Sequence, residues 1–145
     1  MLGKKNLYNN MIDFIGKWKL KVNIGFDKFL QFSGYNWCQL QIGKRLKTTV
    51  NIKQIGIDVF SLKIDLCRLL NTNETIILDN TYRQVKKYKK RYRYEDNKIV
   101  VNVICENEKF NWNGRISSIN EHLLIEYGWI DKGKEYIASQ IYRKV

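Results

Sequence analysis

At roughly 8–12-residue intervals the chain is broken by a turn signal, and between the signals apolar and polar residues alternate. In Gly16–Val22, Trp18, Leu20 and Val22 fall on one face and Lys17, Lys19 and Lys21 on the other, the period of a half-buried strand. Thr49–Lys53 alternates in the same way. Further on, Phe60, Leu62, Ile64 and Leu66 oppose Ser61, Lys63 and Asp65. Asn71-Thr72-Asn73 reads as a turn, and Glu95–Lys98, Glu106–Lys109 and Asp131–Lys134 read as hairpin loops. About ten strands follow in succession, with no period of 20–50 residues, no linker and no proline. Hairpin-joined strands of this kind predict an all-β chain, a ten-stranded antiparallel up-and-down barrel whose closure removes exposed sheet edges. A barrel of this size can hold one small ligand.

One stretch departs from the alternation. Between Asn23 and Leu46, Phe26, Phe29 and Leu30, then Trp37 and Leu40, recur at spacings of three and four. This predicts two short helices, with Asp27 in the first turn, a break at Gly34 and an end near Gly43.

Composition narrows the class. The 145 residues fit one domain, and 44% hydrophobic residues with 13% aromatics exclude a disordered chain. The formal charge of +12 favours acidic partners, either nucleic acid or an anionic membrane surface. Cys38, Cys67 and Cys105 are odd in number and far apart. They suit neither zinc nor a disulfide framework, and buried thiols in a reducing compartment are expected. Residues 1–11 are expected to form a flexible polar N-terminal extension, with the barrel domain over 12–145. No secretory signal and no membrane-spanning stretch can be read, so a cytoplasmic protein is expected. No nucleophile elbow, zinc helix, Walker loop or dinucleotide fingerprint occurs, and His122 is the sole histidine. The expectation is a chain that is not an enzyme and uses neither cofactor nor metal.

Phe14-Ile15-Gly16-Lys17-Trp18 resembles the F-x-G-x-W opening of the intracellular lipid-binding proteins, the fatty-acid-binding and cellular retinoid-binding family of the calycin superfamily. Asn23–Gly34 is similar to that family's N-F-D-x-[YF]-[ML]-x-x-x-G segment, with one added residue near Ile24-Gly25. Leu78–Gln84 resembles its L-G-x-x-F-x-E stretch. Gln140–Val145 stands where the family ends in R-x-[YF]-x-[KR]. The resemblance runs in order over residues 12–145. It implies a ten-stranded β-clam with a helix–turn–helix lid after the first strand. It also implies a monomeric, non-covalent carrier of a fatty acid, retinoid or other small apolar ligand, without catalysis.

The resemblance further implies ligand contacts. Tyr142 matches the family's tyrosine for the ligand's carboxylate, but Gln140 stands in place of its arginine, as in the retinol-type members. The family's second inward arginine falls near Gly114-Arg115: Arg115 is one candidate, while an equal alignment places Gly114 inside and turns Arg115 out. Gln140 and Tyr142 lie two apart on one strand and share a face. They offer neutral donors and an acceptor, better suited to an alcohol, ester, amide or protonated acid than to a bare carboxylate. The alternative is that they bond each other or a buried water. Phe26, Phe29 and Leu30 would contact the ligand at the lid, or simply pack the helix onto the barrel.

Residues 83–94 carry seven positive charges and no acid, interleaved with tyrosines. Lys86, Lys87, Lys89, Lys90, Arg91 and Arg93 are candidates for a surface that docks on anionic membrane or binds nucleic acid. A third reading is a solvated sheet face, with Tyr88, Tyr92 and Tyr94 turned into the barrel together. The chief rival to a carrier is therefore a nucleic-acid-binding barrel with Tyr88 and Tyr92 exposed. A barrel filled by its own aromatics, acting only as an interaction module, is another.

Overall fold

A computed structural model of the chain describes residues 12–34, 48–65, 71–86, 88–105 and 111–145. The expectations for residues 1–11, for the second helix with Trp37, for Cys38, for Cys67 and for Lys87 lie outside the described residues.

A short 3-10 turn, Ile12–Phe14, leads into β1 (Gly16–Ile24), and helix α1 (Phe26–Phe32) follows. Nine further strands succeed it: β2 (Thr49–Gly56), β3 (Val59–Asp65), β4 (Asn71–Ile77), β5 (Arg83–Val85), β6 (Tyr88–Glu95), β7 (Lys98–Cys105), β8 (Asn111–Ile119), β9 (His122–Asp131) and β10 (Lys134–Lys144). All pairings are antiparallel, in the order β4-β3-β2-β1-β10-β9-β8-β7-β6-β5. The sheet curls so that first and last strands join through β1–β10, and its two ends, β4 and β5–β6, face each other without a ladder. This is the ten-stranded antiparallel β-clam that the alternation and the resemblance predict.

The alternation buries one face. Trp18, Val50, Ile52, Phe60, Leu62, Ile76, Ile99, Val101, Ile116, Leu123 and Tyr142 form a single inward cluster. Phe14 joins them, its carbonyl accepting a 3.0 Å bond from Trp18 Nε1. This explains the spacing of the opening motif: the two aromatics pack together, and Gly16 between them takes φ 140°, a conformation that L side chains rarely adopt.

β1 departs from the expected pattern in one respect. A bulge between Leu20 and Val22 shifts the register, so Leu20 pairs with Tyr142 while Val22 pairs with Ile141. One extra residue flips everything after it to the other face. Val22, expected beside Trp18 and Leu20, is therefore on the outer face and 43% exposed. The basic run forms two strands, β5 and β6, with Lys86 between them at φ 55°.

Helix α1 starts at Gly25, in the left-handed conformation (φ 70°), rather than at a side-chain cap. Asp27 lies in its first turn as expected, and Gly34 (φ 95°) follows its end. Phe26 and Phe29 are buried against Trp129 and Ala138. Cys105, on the inward side of β7, is a buried free thiol.

Candidate ligand-binding site

Three polar side chains meet on the inward face of β9 and β10. Gln140 Oε1 accepts hydrogen bonds from Tyr142 Oη at 2.9 Å and Tyr127 Oη at 3.0 Å. Strand alternation places them: Tyr136, Ala138, Gln140 and Tyr142 point inward on β10, as do Leu123, Ile125, Tyr127 and Trp129 on β9. Both lone pairs of the Gln140 carbonyl are engaged, which fixes the amide's orientation and leaves the NH2 group as the donor. Gln140 is 1% exposed, and its Nε2 is buried with no hydrogen-bond partner. Such a donor costs about 1–3 kcal/mol until an acceptor meets it. The sequence brought Gln140 and Tyr142 together correctly. It missed Tyr127, although Tyr127 shares its strand's parity with Ile125 and Trp129.

Arg115 is not in this site. Gly114 is the inward residue, paired with Val101 and Tyr127, and Arg115 is exposed on the outer face. There it borders a groove of about 730 Å³ together with Asn102, Asn113, Glu126 and Ile137. A Cβ at Gly114 would stand 2.8 Å from Val101 Cγ1 and 3.2 Å from Trp112, so the place of an inward arginine is filled by neighbours. No guanidinium joins Gln140 from either of the two expected positions.

A second inward polar group spans the split between the two ends of the sheet. Glu74 of β4 forms an ion pair with Lys90 of β6 and accepts a 2.6 Å bond from Tyr92 Oη. Lys90 pairs in register with buried Val103, so it faces inward. This corrects its assignment to a docking surface. The signal was in the sequence: Lys90 has the parity of Tyr88 and Tyr92. Where the strand ladder is missing, Glu74 ties β4 to β6 by side chains, and Asn80 N–H adds a bond to the Tyr92 carbonyl.

Of the remaining basic candidates, Lys86 and Lys89 are exposed and Arg91 and Arg93 half-buried. Arg91 and Arg93 both donate to Asn102 Oδ1, Arg93 also pairs with Glu95, and Arg91 lies over the Tyr82 ring. Nearby, the Arg83 guanidinium holds the Asp79 carboxyl down to about 2. Tyr92 is buried at 7% exposure, and Tyr88 and Tyr94 pack on the same inward cluster. Tyr88 and Tyr92 thus face the core and are not the exposed stacking platforms that the nucleic-acid reading expects.

The lid residues converge on aromatics. The Phe29 ring lies 4.6 Å from Tyr127, 4.9 Å from Trp112 and 5.5 Å from Trp129, and Phe26 is 5.0 Å from Tyr127. Leu30 and Phe32 pack on the same cluster. Tyr127 thus connects the lid to Gln140: its ring supports the helix and its hydroxyl holds the amide.

Burial pushes the phenols of Tyr127, Tyr142 and Tyr92 up. The charge and hydrogen bond of Glu74 add to this for Tyr92, and Tyr127 does for Tyr142. They remain protonated donors at neutral pH. With folded values above the unfolded value of about 10, their contribution to stability is complete below that pH and is lost as pH rises beyond it. In an alkaline titration followed at 295 nm, these three of nine tyrosines should ionise only together with loss of the β-sheet circular dichroism signal. Nine ordinary midpoints in a folded chain would contradict the burial described.

No protein-family model matches the chain, and no curated protein matches it in sequence. Solved structures do match in fold. Apo lipid binding protein 8 of Caenorhabditis elegans has a TM-score of 0.79 at 20% identity, over 93% of this chain and 97% of that one. A Schistosoma mansoni fatty acid binding protein in complex with arachidonic acid has a TM-score of 0.78 at 18% identity, over 94% and 98%. The fluorescent protein UnaG has a TM-score of 0.80 at 18% identity, over 93% and 99%. The chain therefore has the fold of the intracellular lipid-binding proteins, the family its opening and closing motifs resemble.

Proposed function

We propose that this chain is a non-covalent carrier that binds a fatty acid or similar small hydrophobic molecule inside its barrel, in the cytoplasm, without catalysis. The observation that carries this reading is the buried Gln140 Nε2, a donor without an acceptor, held by two phenols in an apolar wall. A ligand oxygen supplies the missing acceptor, and its chain lies along the inward aliphatic residues. Each CH2 withdrawn from water contributes about 0.8 kcal/mol, enough to hold a long chain tightly without charge recognition. Phe26, Phe29 and Leu30 close the entrance, with Tyr142 and Gln140 at the polar end.

With Gly114 inside and Arg115 outside, the polar end is neutral. An ionised carboxylate there would be desolvated without a cation, which favours an alcohol, ester, amide or protonated acid. The test is displacement of a bound fluorescent fatty-acid probe by a fatty alcohol, a methyl ester and a fatty acid of equal chain length. At pH 8 the alcohol and ester should compete at least about tenfold better than the acid, a difference of about 1.4 kcal/mol. The acid should gain as pH falls toward its own pKa. Tightest binding by the ionised acid, or no uptake of any probe, would overturn the reading.

A further inference from the structure

The barrel wall carries a second polar spot besides Gln140. Glu74, Lys90 and Tyr92 all face inward: Glu74 pairs in register with Leu62, Lys90 with Val103 and Tyr92 with Val101, three buried residues of the inner face. The Glu74 and Lys90 side chains are only 19% and 15% exposed. As a staple across the split such an ion pair is a poor device, because well-packed apolar residues of similar volume hold a structure at least as well. What it adds is polarity in an aliphatic wall.

The hydrogen-bonding capacity left at this spot is specific. Glu74 accepts from the Lys90 ammonium and from the Tyr92 hydroxyl. Of its three N–H groups Lys90 engages one with Glu74; the other two have no acceptor among the described residues, the Tyr88 ring lying 5.9 Å away. The Tyr92 oxygen donates its proton and keeps its lone pairs. The two charges cancel, so a ligand carboxylate would meet Glu74 and a ligand ammonium would meet Lys90. A hydroxyl, which both donates and accepts, fits what remains.

Register relates this spot to Gln140. Tyr92, Val101, Gly114 and Tyr127 follow one another across β6, β7, β8 and β9, and Tyr127 bonds Gln140. In the adjoining inward row Ile99, Ile116 and Ile125 lead to Gln140 itself. Three strand spacings, ~14 Å along the sheet, separate the two tyrosines, and the lane between them is apolar.

We infer that the barrel's ligand bears two polar groups: a neutral oxygen head at Gln140 and a hydroxyl further along its chain, received by Lys90 and Tyr92. This rests on the carrier reading proposed above and narrows its cargo to a hydroxylated lipid. A plain hydrocarbon tail lying there would strip water from the Lys90 ammonium without replacing its hydrogen bonds.

The test compares straight-chain fatty alcohols with α,ω-diols of the same length, over a series of lengths, as displacers of a bound fluorescent fatty-acid probe on the full chain. The alcohols should gain about fourfold per added CH2, the fold-change of burying one methylene. The diols should instead pass through an optimum, at which a diol outcompetes its matched alcohol by about tenfold. In Glu74→Leu/Lys90→Met, which removes both charges together, that preference should vanish while the alcohols bind as before. Tyr92→Phe, which keeps the ring, should reduce it. Alcohols that displace the probe, with diols weaker at every length, would overturn this inference and leave the carrier reading standing. A diol optimum unchanged in both variants would also overturn it, since the hydroxyl would then lie elsewhere. No displacement by either series would overturn both readings.

Discussion

Gln140→Leu should lower the unfolding free energy by about 2–4 kcal/mol, although leucine is apolar and of similar size. Gln140 is the shared acceptor for the Tyr127 and Tyr142 hydroxyls, and the substitution leaves both buried without a partner. Each abandoned donor costs about 1–3 kcal/mol, offset by burying leucine in place of an unsatisfied amide. Urea denaturation of the variant and the parent checks this through the midpoint at unchanged slope. The companion Tyr127→Phe/Gln140→Leu/Tyr142→Phe removes donors and acceptor together and should recover most of the loss. Stability unchanged in the single variant would mean that the hydroxyls find other partners, and the polar centre described above would be wrong. In ligand binding, the single variant should lose the preference for a neutral oxygen head while keeping its dependence on chain length.

Phe29→Ala should have the largest effect of any change in the lid, about 3–5 kcal/mol of stability. Phe29 is 5% exposed and its ring meets four others, those of Phe26, Trp112, Tyr127 and Trp129. The loss combines transfer of a large side chain with a void that a single short helix cannot fully close. Because Trp112 and Trp129 are immediate neighbours, near-ultraviolet circular dichroism should change as well. Cleavage by protease near residues 26–34 should accelerate. A loss under about 1 kcal/mol would show that α1 is only loosely applied to the barrel.

The strands were legible because each buries one face, and alternation at Thr49–Lys53 or Phe60–Ile64 has no other economical reading. The position of α1 was legible for the same reason, since Phe26, Phe29 and Leu30 share one side of a helix. The bulge at Lys21 was not. A one-residue shift changes no residue type, so Lys-x-Lys-x-Lys continues as if the strand were regular, and only the partner strand reveals the flip of Val22. Lys90 was misread for a different reason. A lysine among arginines and lysines looks solvated, yet β6 holds to its parity and Glu74, sixteen residues earlier, supplies the counter-charge. Nothing local in the sequence joins the two, because they meet across the split where no strands pair. At Gly114-Arg115 two alignments were equal, and packing decided: Val101 and Trp112 occupy the space an inward side chain would need. Tyr127 was missed because its importance comes from a partner on the next strand.

That the barrel holds an apolar molecule whose uncharged polar end meets Gln140 is a proposal open to direct measurement. It is tested most directly by organic extraction of freshly purified protein and mass spectrometry of the extract, with an unrelated protein prepared alongside. The expected result is a near-stoichiometric lipid bearing an alcohol, ester, amide or acid group, depleted in the Gln140→Leu variant. An empty extract from a folded chain that also takes up neither fatty-acid nor retinol probes would contradict it.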